Sequence, residues 1–384
     1  MGKRAILIVL DSVGCGGAPD AAAYGDAGAD TLGHLFEGIP GLRLPNLDSL
    51  GLAGLMGREP SGPLRQGASA FRLTEVSAGK DTTTGHWELM GCLLEEPFYT
   101  CESFPQGFVD TLAAACGTEF IGNKAASGTQ ILEELGGEHL RTGFPILYTS
   151  ADSVLQIAAH EGTFGEGRLQ DVCRTARRLL DERGMRVGRV ISRPFTGDET
   201  SGFRRTANRH DYSLTPGGTV LDDLVAKHVE VIGVGKISDI FAGKAISVSH
   251  PTAGNAHGMA LVGSLCEERA DQEEFIFANL VDFDSLYGHR RDPLGYARCL
   301  VEFDVWLGGF LQGLHPDELL MITADHGNDP YHPGTDHTRE QVPCLVVSGN
   351  GFDPGEMRVF ADVGECVLRF FQKKSNLAKT RGYG

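Results

Sequence analysis

No two cysteines in this chain are spaced as C-x-x-C, and the nine present are an odd number. Disulfide scaffolds pair their cysteines, so the pattern argues against such a frame. It reads as free thiols in a reducing compartment, the cytoplasm. Positive charge is also scarce. The 34 Lys and Arg face 51 Asp and Glu, for a formal charge of −17. Nucleic acid and anionic membrane surfaces require a basic footprint, so neither is expected as a partner. Long apolar runs are missing too. None approaches the roughly 20 residues of a membrane span. The N-terminal "MGKRAILIVLDSVG" resembles a signal peptide only superficially, because Asp11 ends the apolar run after Ala5–Leu10 and no cleavage site follows. The chain is expected to be soluble.

At 384 residues the chain exceeds the size at which single cores stop growing, and 41% hydrophobic content supplies a sizeable core. Ala5–Leu10 is a continuous apolar, β-branched-rich run, as for a strand buried on both faces. The design recurs. "EFIFANLVDFD" (274–284) runs apolar to Val281 and then reaches Asp282 and Asp284. "ELLMITADHGND" (318–329) runs apolar to Ala324 and then reaches Asp325 and His326. Further runs end near Lys236 and occupy 343–349, and the amphipathic stretch 292–314 reads as a helix. Strands alternating with helices predict an α/β fold with a mainly parallel sheet, whose ligands sit at the carboxyl ends of the strands. The middle of the chain consists of shorter periodic pieces and gathers Arg189, Arg193, Arg204, Arg205 and Arg209. It reads as a smaller inserted domain. The expected division is a core of 1–98 and 215–384 and an insert of 99–214. The basic tail "KKSNLAKTRGYG" is expected to be loosely held.

The stretch "ADHGNDPYHPGTDHTRE" (324–340) packs Asp325, His326, Asp329, His332, Asp336 and His337 together, and Asp11, Asp284 and His289 join it from other strand ends. Any one of these alone reads as a solvated turn residue. As a set they are what one or two divalent metals need, and such carboxylates brought together without a cation would repel. Two metals about 4 Å apart clamp the oxygens of an in-line displacement. A threonine hydroxyl, a weak nucleophile by itself, can be activated by such a metal. This bears on "GKDTTTGHWE" (79–88). Its threonines are either a helix cap or a nucleophile. A capping box would place Glu or Gln three residues on, where Gly85, His86 and Trp87 stand.

The motifs "VLDSVGCGGAPDAAAYGDAGADTLGH", "GKDTTTGHWELMG", "NKAASGTQILEELG", "YTSADSVLQIAAHE", "GRVISRPF", "NRHDYSL", "GKISDIF", "NLVDFDSLYGHRRDP" and "ITADHGNDPYHPGTDHTRE" together resemble the phosphopentomutase family of the alkaline phosphatase superfamily. They run from residue 6 to about 345. The resemblance implies an α/β, alkaline-phosphatase-like core, its mainly parallel sheet flanked by helices, with an inserted smaller α+β cap for substrate. It implies two Mn²⁺ per chain and a sugar bisphosphate activator. By motif match, Asp11, Asp325 and His326 serve one metal with the threonine, and Asp284, His289 and His337 serve the other. The phosphorylated residue is the threonine after Lys-Asp, here Thr82. Thr83 stands where the family often has a different residue, which leaves Thr84 as the rival. The implied reaction interconverts 1- and 5-phosphates of ribose or deoxyribose through a phosphothreonine and a sugar bisphosphate. Arg189, Arg205 and Lys236 are implied for the second phosphate, and Ser150, Asp152, Val154 and Ile191 for the sugar side. Members usually continue past "YG", so the chain is expected to stop short of its last residues. Oligomeric state and the preference between the two sugars are not legible.

Four other readings compete. A phosphoglycerate mutase would use a serine nucleophile and a differently built insert. A plain phosphatase would not need a phosphate-holding cap. A sulfatase with a cysteine-derived nucleophile is disfavoured because no C-x-P-x-R segment is present. A non-catalytic metal-binding protein would not need Thr82.

Overall fold

The computed structural model describes residues 2–150, 152–268, 271–349 and 351–372. The basic tail from residue 373 lies outside them. The chain divides into two compact units, one of residues 1–96 and 216–384 and one of residues 97–215. Among the described residues no helix is long and apolar enough to cross a membrane.

The first unit is built on a seven-stranded sheet. In spatial order its strands are Val248–His250, Glu230–Val234, Glu274–Leu280, Arg4–Leu10, Glu318–Thr323, Val342–Ser348 and Ala68–Leu73. The first five run parallel, and Val342–Ser348 is antiparallel to both its neighbours. The Ala68–Leu73 and Val248–His250 strands carry no long apolar run, and sequence periodicity does not pick them out. The Arg4–Leu10, Glu274–Leu280 and Glu318–Thr323 strands are buried along their whole length, as their largely apolar runs predict. Each fully buried Ile or Leu contributes about 1.5–3 kcal/mol, which makes this triplet the centre of the core.

Apolar side chains alone do not fix how three such strands align. Arg4 does. It is 3% exposed, and its guanidinium pairs with Glu274 at 2.6 Å and Glu318 at 3.2 Å. Glu274 and Glu318 are also its direct partners across the two flanking strand pairs. A slip by one residue would separate these buried charges, at a cost well above that of a surface pair. With Val9 opposite Thr323, the register carries Asp11 level with Asp325 at the far end of the sheet.

The second unit has a mixed sheet in the order Ile121–Ala125, Ile146–Thr149, Val154–His160, Arg189–Asp198 and Gly202–Arg205, with His210–Ser213 also paired to Arg189–Asp198. One face buries Leu155, Ile157, Ala159 and Val190 against the helices Gln106–Cys116 and Glu166–Glu182. The other buries Ile146, Tyr148, Ala158 and Phe195 against Ile131 and Leu132 of the helix Gly128–Thr142.

Candidate active site

Asp11, Asp284 and Asp325 all follow carboxyl ends of the central parallel strands. Asp11 and Asp325 are buried beside His326, whose Nε2 lies 3.4 Å from Asp11 Oδ1 and 3.5 Å from Asp325 Oδ2. The His326 Nδ1 is 3.0 Å from the Gly327 carbonyl, so it carries the proton and leaves Nε2 to face the carboxylates. Asp11 Oδ1 and Asp325 Oδ2 are buried and have no hydrogen-bond partner among the described residues. Burial and the adjacent Asp325 carboxylate push the Asp11 carboxyl up. Burial acts the same way on Asp325, but His326 and His86 outweigh it and hold that carboxyl below the usual range. Burial alone would lower the His326 imidazole, yet Asp325 and Asp11 drive it well above its ordinary value. The negative field that raises the His326 pKa also attracts a divalent cation. Two orphaned carboxylate oxygens facing one imidazole nitrogen fit such an ion.

A second group adjoins the first. Ligand atoms of Asp284, His326 and His337 lie within 4.8 Å of one another, as do those of Asp11, Asp325 and His326. His326 thus falls in both groups. The His289 Nε2 is 3.1 Å from Asp284 Oδ2 and 3.1 Å from His337 Nε2, while its Nδ1 lies 2.6 Å from the Thr335 carbonyl. The wider turn of a π-helix over Phe283–Gly288 brings Asp284 and His289 onto one face, closed by the His289 N–H donating to the Asp284 carbonyl at 3.1 Å. An ordinary α-helical turn would splay residues five apart. Burial opposes ionisation of Asp284, but His289 and His337 hold its carboxyl far below the usual range.

The helix Thr82–Leu89 begins at this cluster. Its cap is Asp81 rather than a threonine. The Asp81 side chain accepts from the N–H groups of Thr83 and Thr84 at 3.0 and 3.1 Å. The hydroxyls of Thr82 and Thr84 then part company. Thr84 is fully buried and donates its hydroxyl to Asp81 at 2.6 Å. Thr82 Oγ1 sits 3.1 Å from His326 Nε2. Arg339 braces the preceding loop by donating to the carbonyls of Ser77 at 3.0 Å and Gly79 at 2.6 Å.

Gly85 explains the glycine after the threonine triplet. A Cβ there would lie 2.0 Å from the Asp325 carbonyl oxygen, which is backbone and cannot move aside. Gly85→Ala is therefore expected to cost about 1–3 kcal/mol or more. Pushing Thr82 away from the acids by about 1 Å should also lower kcat roughly 100-fold. Thermal melts and steady-state rates check both effects.

Other members of the histidine-rich stretch serve elsewhere. Asp329 accepts from the N–H groups of Asp30 and Tyr331, and Asp336 pairs with Lys80. Asp282 accepts from the Asn255 N–H at 2.7 Å. The S-x-P-x-R spacing of a serine-type sulfatase occurs once, at Ser61 to Arg65. There Ser61 donates to Asp48 and Arg65 to the Leu311 carbonyl, and neither belongs to the acid–histidine groups.

Sequence reasoning missed the residues that hold the clustered acids. Ser12, in a left-handed conformation at φ 75°, donates its N–H to Asp325 Oδ1 at 3.1 Å. Asn328 donates to Asp284 Oδ1 at 2.7 Å and is itself held by Arg291. Buried Glu340 gathers the N–H groups of Gly16 and Thr31 and the hydroxyls of Thr31 and Thr338. Asn279 and His86 belong to the same shell. A polar amide inside the otherwise apolar run 275–281 was the one available signal.

Within the second unit, Val154 lies opposite Arg189 across adjacent strands, and Gln156 opposite Ile191. Val154 and Ile191 are buried, Ser150 half-buried, and Asp152, Arg189 and Arg205 exposed. Arg193 donates to Gln156 at 3.0 Å, and burial together with Arg209 and Arg205 pushes its pKa down. Arg205 approaches the start of the helix at Gly128 so closely that a Cβ there would overlap its guanidinium. In the first unit, Lys236 is exposed just after the Glu230–Val234 strand.

Comparison with known proteins agrees with this geometry. The chain matches the metalloenzyme superfamily over residues 3–375, and its fold is the α/β, alkaline-phosphatase-like one of that class. The solved structure of the PH0037 protein from Pyrococcus horikoshii shares the fold over 100% of both chains, with a TM-score of 0.51 at 14% identity. At the sequence level the chain is 51% identical over 373 residues to the phosphopentomutase of Symbiobacterium thermophilum, covering 95% of this chain and 94% of that one. It is 49% identical over 378 residues to the phosphopentomutase of Syntrophotalea carbinolica, covering 96% and 95%. The chain belongs to the phosphopentomutase family, a family of isomerase-class enzymes.

Proposed function

We propose that this protein interconverts ribose 1-phosphate and ribose 5-phosphate, and their 2-deoxyribose analogues, through a phosphorylated Thr82. The observation that carries the reading is the Thr82 hydroxyl, 3.1 Å from His326 Nε2 at the mouth of the acid–histidine cluster. Asp11, Asp325 and His326 would hold one Mn²⁺, and Asp284, His289 and His337 the other. When bound, such ions lower the pKa of a coordinated hydroxyl and neutralise charge on a transferring phosphoryl group. Phosphorylated Thr82 gives its phosphoryl group to the free hydroxyl of the pentose phosphate. The P–O bond to Thr82 breaks, a P–O bond to the sugar forms, and the sugar hydroxyl's proton passes to Thr82 Oγ1. The sugar bisphosphate then returns its other phosphate to Thr82 by the reverse of the same step. A sugar bisphosphate starts the cycle by phosphorylating the resting enzyme.

The phosphate that does not transfer needs cations. Arg189 and Arg205 of the second unit and Lys236 of the first are assigned to it, with Ser150, Asp152, Val154 and Ile191 on the sugar side. Burial, together with the nearby Arg209 and Arg205, pushes the Arg193 pKa down, a strain that an arriving anion would relieve, which supports the assignment. Residues 1–98 and 215–384 are the catalytic core in this reading, and 99–214 the substrate-binding insert. The cysteine pattern supports a cytoplasmic setting.

The test is to incubate the protein with Mn²⁺, a trace of sugar bisphosphate and ribose 5-phosphate. Ribose 1-phosphate is the expected product, without net loss of esterified phosphate. Release of free phosphate instead would identify a phosphatase.

A further inference from the structure

Asp11 and Asp325 each have one oxygen engaged and one left bare. On Asp325, the Ser12 N–H takes Oδ1. On Asp11, Asn279 Nδ2 takes Oδ2 at 3.0 Å. The same Nδ2 also lies 3.3 Å from His86 Nε2. Across the ring, His86 Nδ1 is 2.8 Å from the Thr82 carbonyl, one helical turn back. His86 Nδ1 is also 3.0 Å from Asp325 Oδ2, but the N–H points at the carbonyl and leaves that oxygen unpaired. The pattern selects the Nδ1–H form of His86, with Nε2 accepting from Asn279. A continuous line therefore runs from Asp11 through Asn279 and His86 to the backbone of Thr82.

Two observations separate this line from ordinary core filling. Asn279 is 1% exposed, yet its Oδ1 has no hydrogen-bond partner among the described residues. Turning the amide over would set an oxygen against the Asp11 carboxylate and the His86 lone pair, so its orientation is dictated by those two neighbours at the expense of its own carbonyl. His86, fully buried, is held flat against Phe277 with ring centroids 5.9 Å apart and planes at 28°. Its ring is thereby aimed along the line, and Phe277 and Asn279 come from the same strand.

We propose that Asn279 and His86 are positioning residues. They leave Asp11 Oδ1 as the bare ligand oxygen and tie it to the place of Thr82, so that metal ligand and nucleophile keep one geometry. The inference rests on the two-metal reading of this site.

Asn279→Leu and His86→Phe keep approximate shape and delete the hydrogen bonds. Manganese titration followed by the electron paramagnetic resonance of free Mn²⁺ reads the effect without reference to turnover. Wild-type protein should bind two ions. Each variant should bind one of the two about 10–100-fold more weakly, with kcat lowered by a similar factor and KM for the pentose phosphate nearly unchanged. The double variant should be little worse than the worse single one, because both cut the same line. Circular dichroism and melting temperature establish folding, and Asn279→Ala substitutes for any variant that does not fold. Folded variants with wild-type Mn²⁺ affinity and kcat would overturn the proposal. A wild-type protein that binds fewer than two ions would instead overturn the two-metal reading.

Discussion

Thr82→Ala is expected to remove turnover by about 10⁴–10⁶-fold, the scale on which nucleophile deletions act, while both metal ions still bind. Of the two candidate hydroxyls, only that of Thr82 faces the acid–histidine cluster, at 3.1 Å from His326 Nε2. The Thr84 hydroxyl is spent on Asp81 at 2.6 Å and is fully buried. Thr84→Ala should then behave as a structural change, costing about 1 kcal/mol for a lost side-chain bond at a helix start, with catalysis largely kept. Steady-state kinetics separate the two variants, and mass-spectrometric mapping of the bisphosphate-treated enzyme locates the phosphate. Label on Thr84, or a Thr82→Ala enzyme that still turns over, would refute the assignment.

Stripping the protein of metal with a chelator should abolish activity and also lower its melting temperature by roughly 5–10 °C. The physical cause is the pair of buried oxygens, Asp11 Oδ1 and Asp325 Oδ2, that have no hydrogen-bond partner among the described residues. A bound cation stabilises the folded state in proportion to the logarithm of its concentration over Kd, about 2.7 kcal/mol at 100 times Kd. Each kcal/mol corresponds to a few degrees in a domain of this size. Re-addition of Mn²⁺ should restore both quantities together. A melting temperature indifferent to chelation and to added Mn²⁺ would show that these residues hold no ion tightly.

Much of the central sheet is legible in the residue order, because strands buried on both faces read as nearly continuous apolar runs. Ala5–Leu10, 275–281 and 318–324 show themselves this way, and the acids that end them mark the ligand edge. The edge strands Ala68–Leu73 and Val248–His250 do not, since partial burial leaves no such run. Ligand candidates stand out as Asp and His clustered at strand ends. Their supports do not, because Ser12, Asn279, His86 and Asn328 are ordinary polar residues until a partner arrives from 44 to 313 positions away.

The sequence by itself determined the α/β class, the strands that carry the acids, the family and the threonine segment, since these depend on local pattern and on motif. Only the tertiary structure decided which hydroxyl faces the acids and how level the acids stand. The register set by buried Arg4 between Glu274 and Glu318 brings Asp11 beside Asp325. The π-turn brings Asp284 to His289, and Gly85 lets the threonine helix touch the Asp325 backbone. Each of these is a contact between distant segments, where buried charge and close packing choose one arrangement out of several that the local pattern allows.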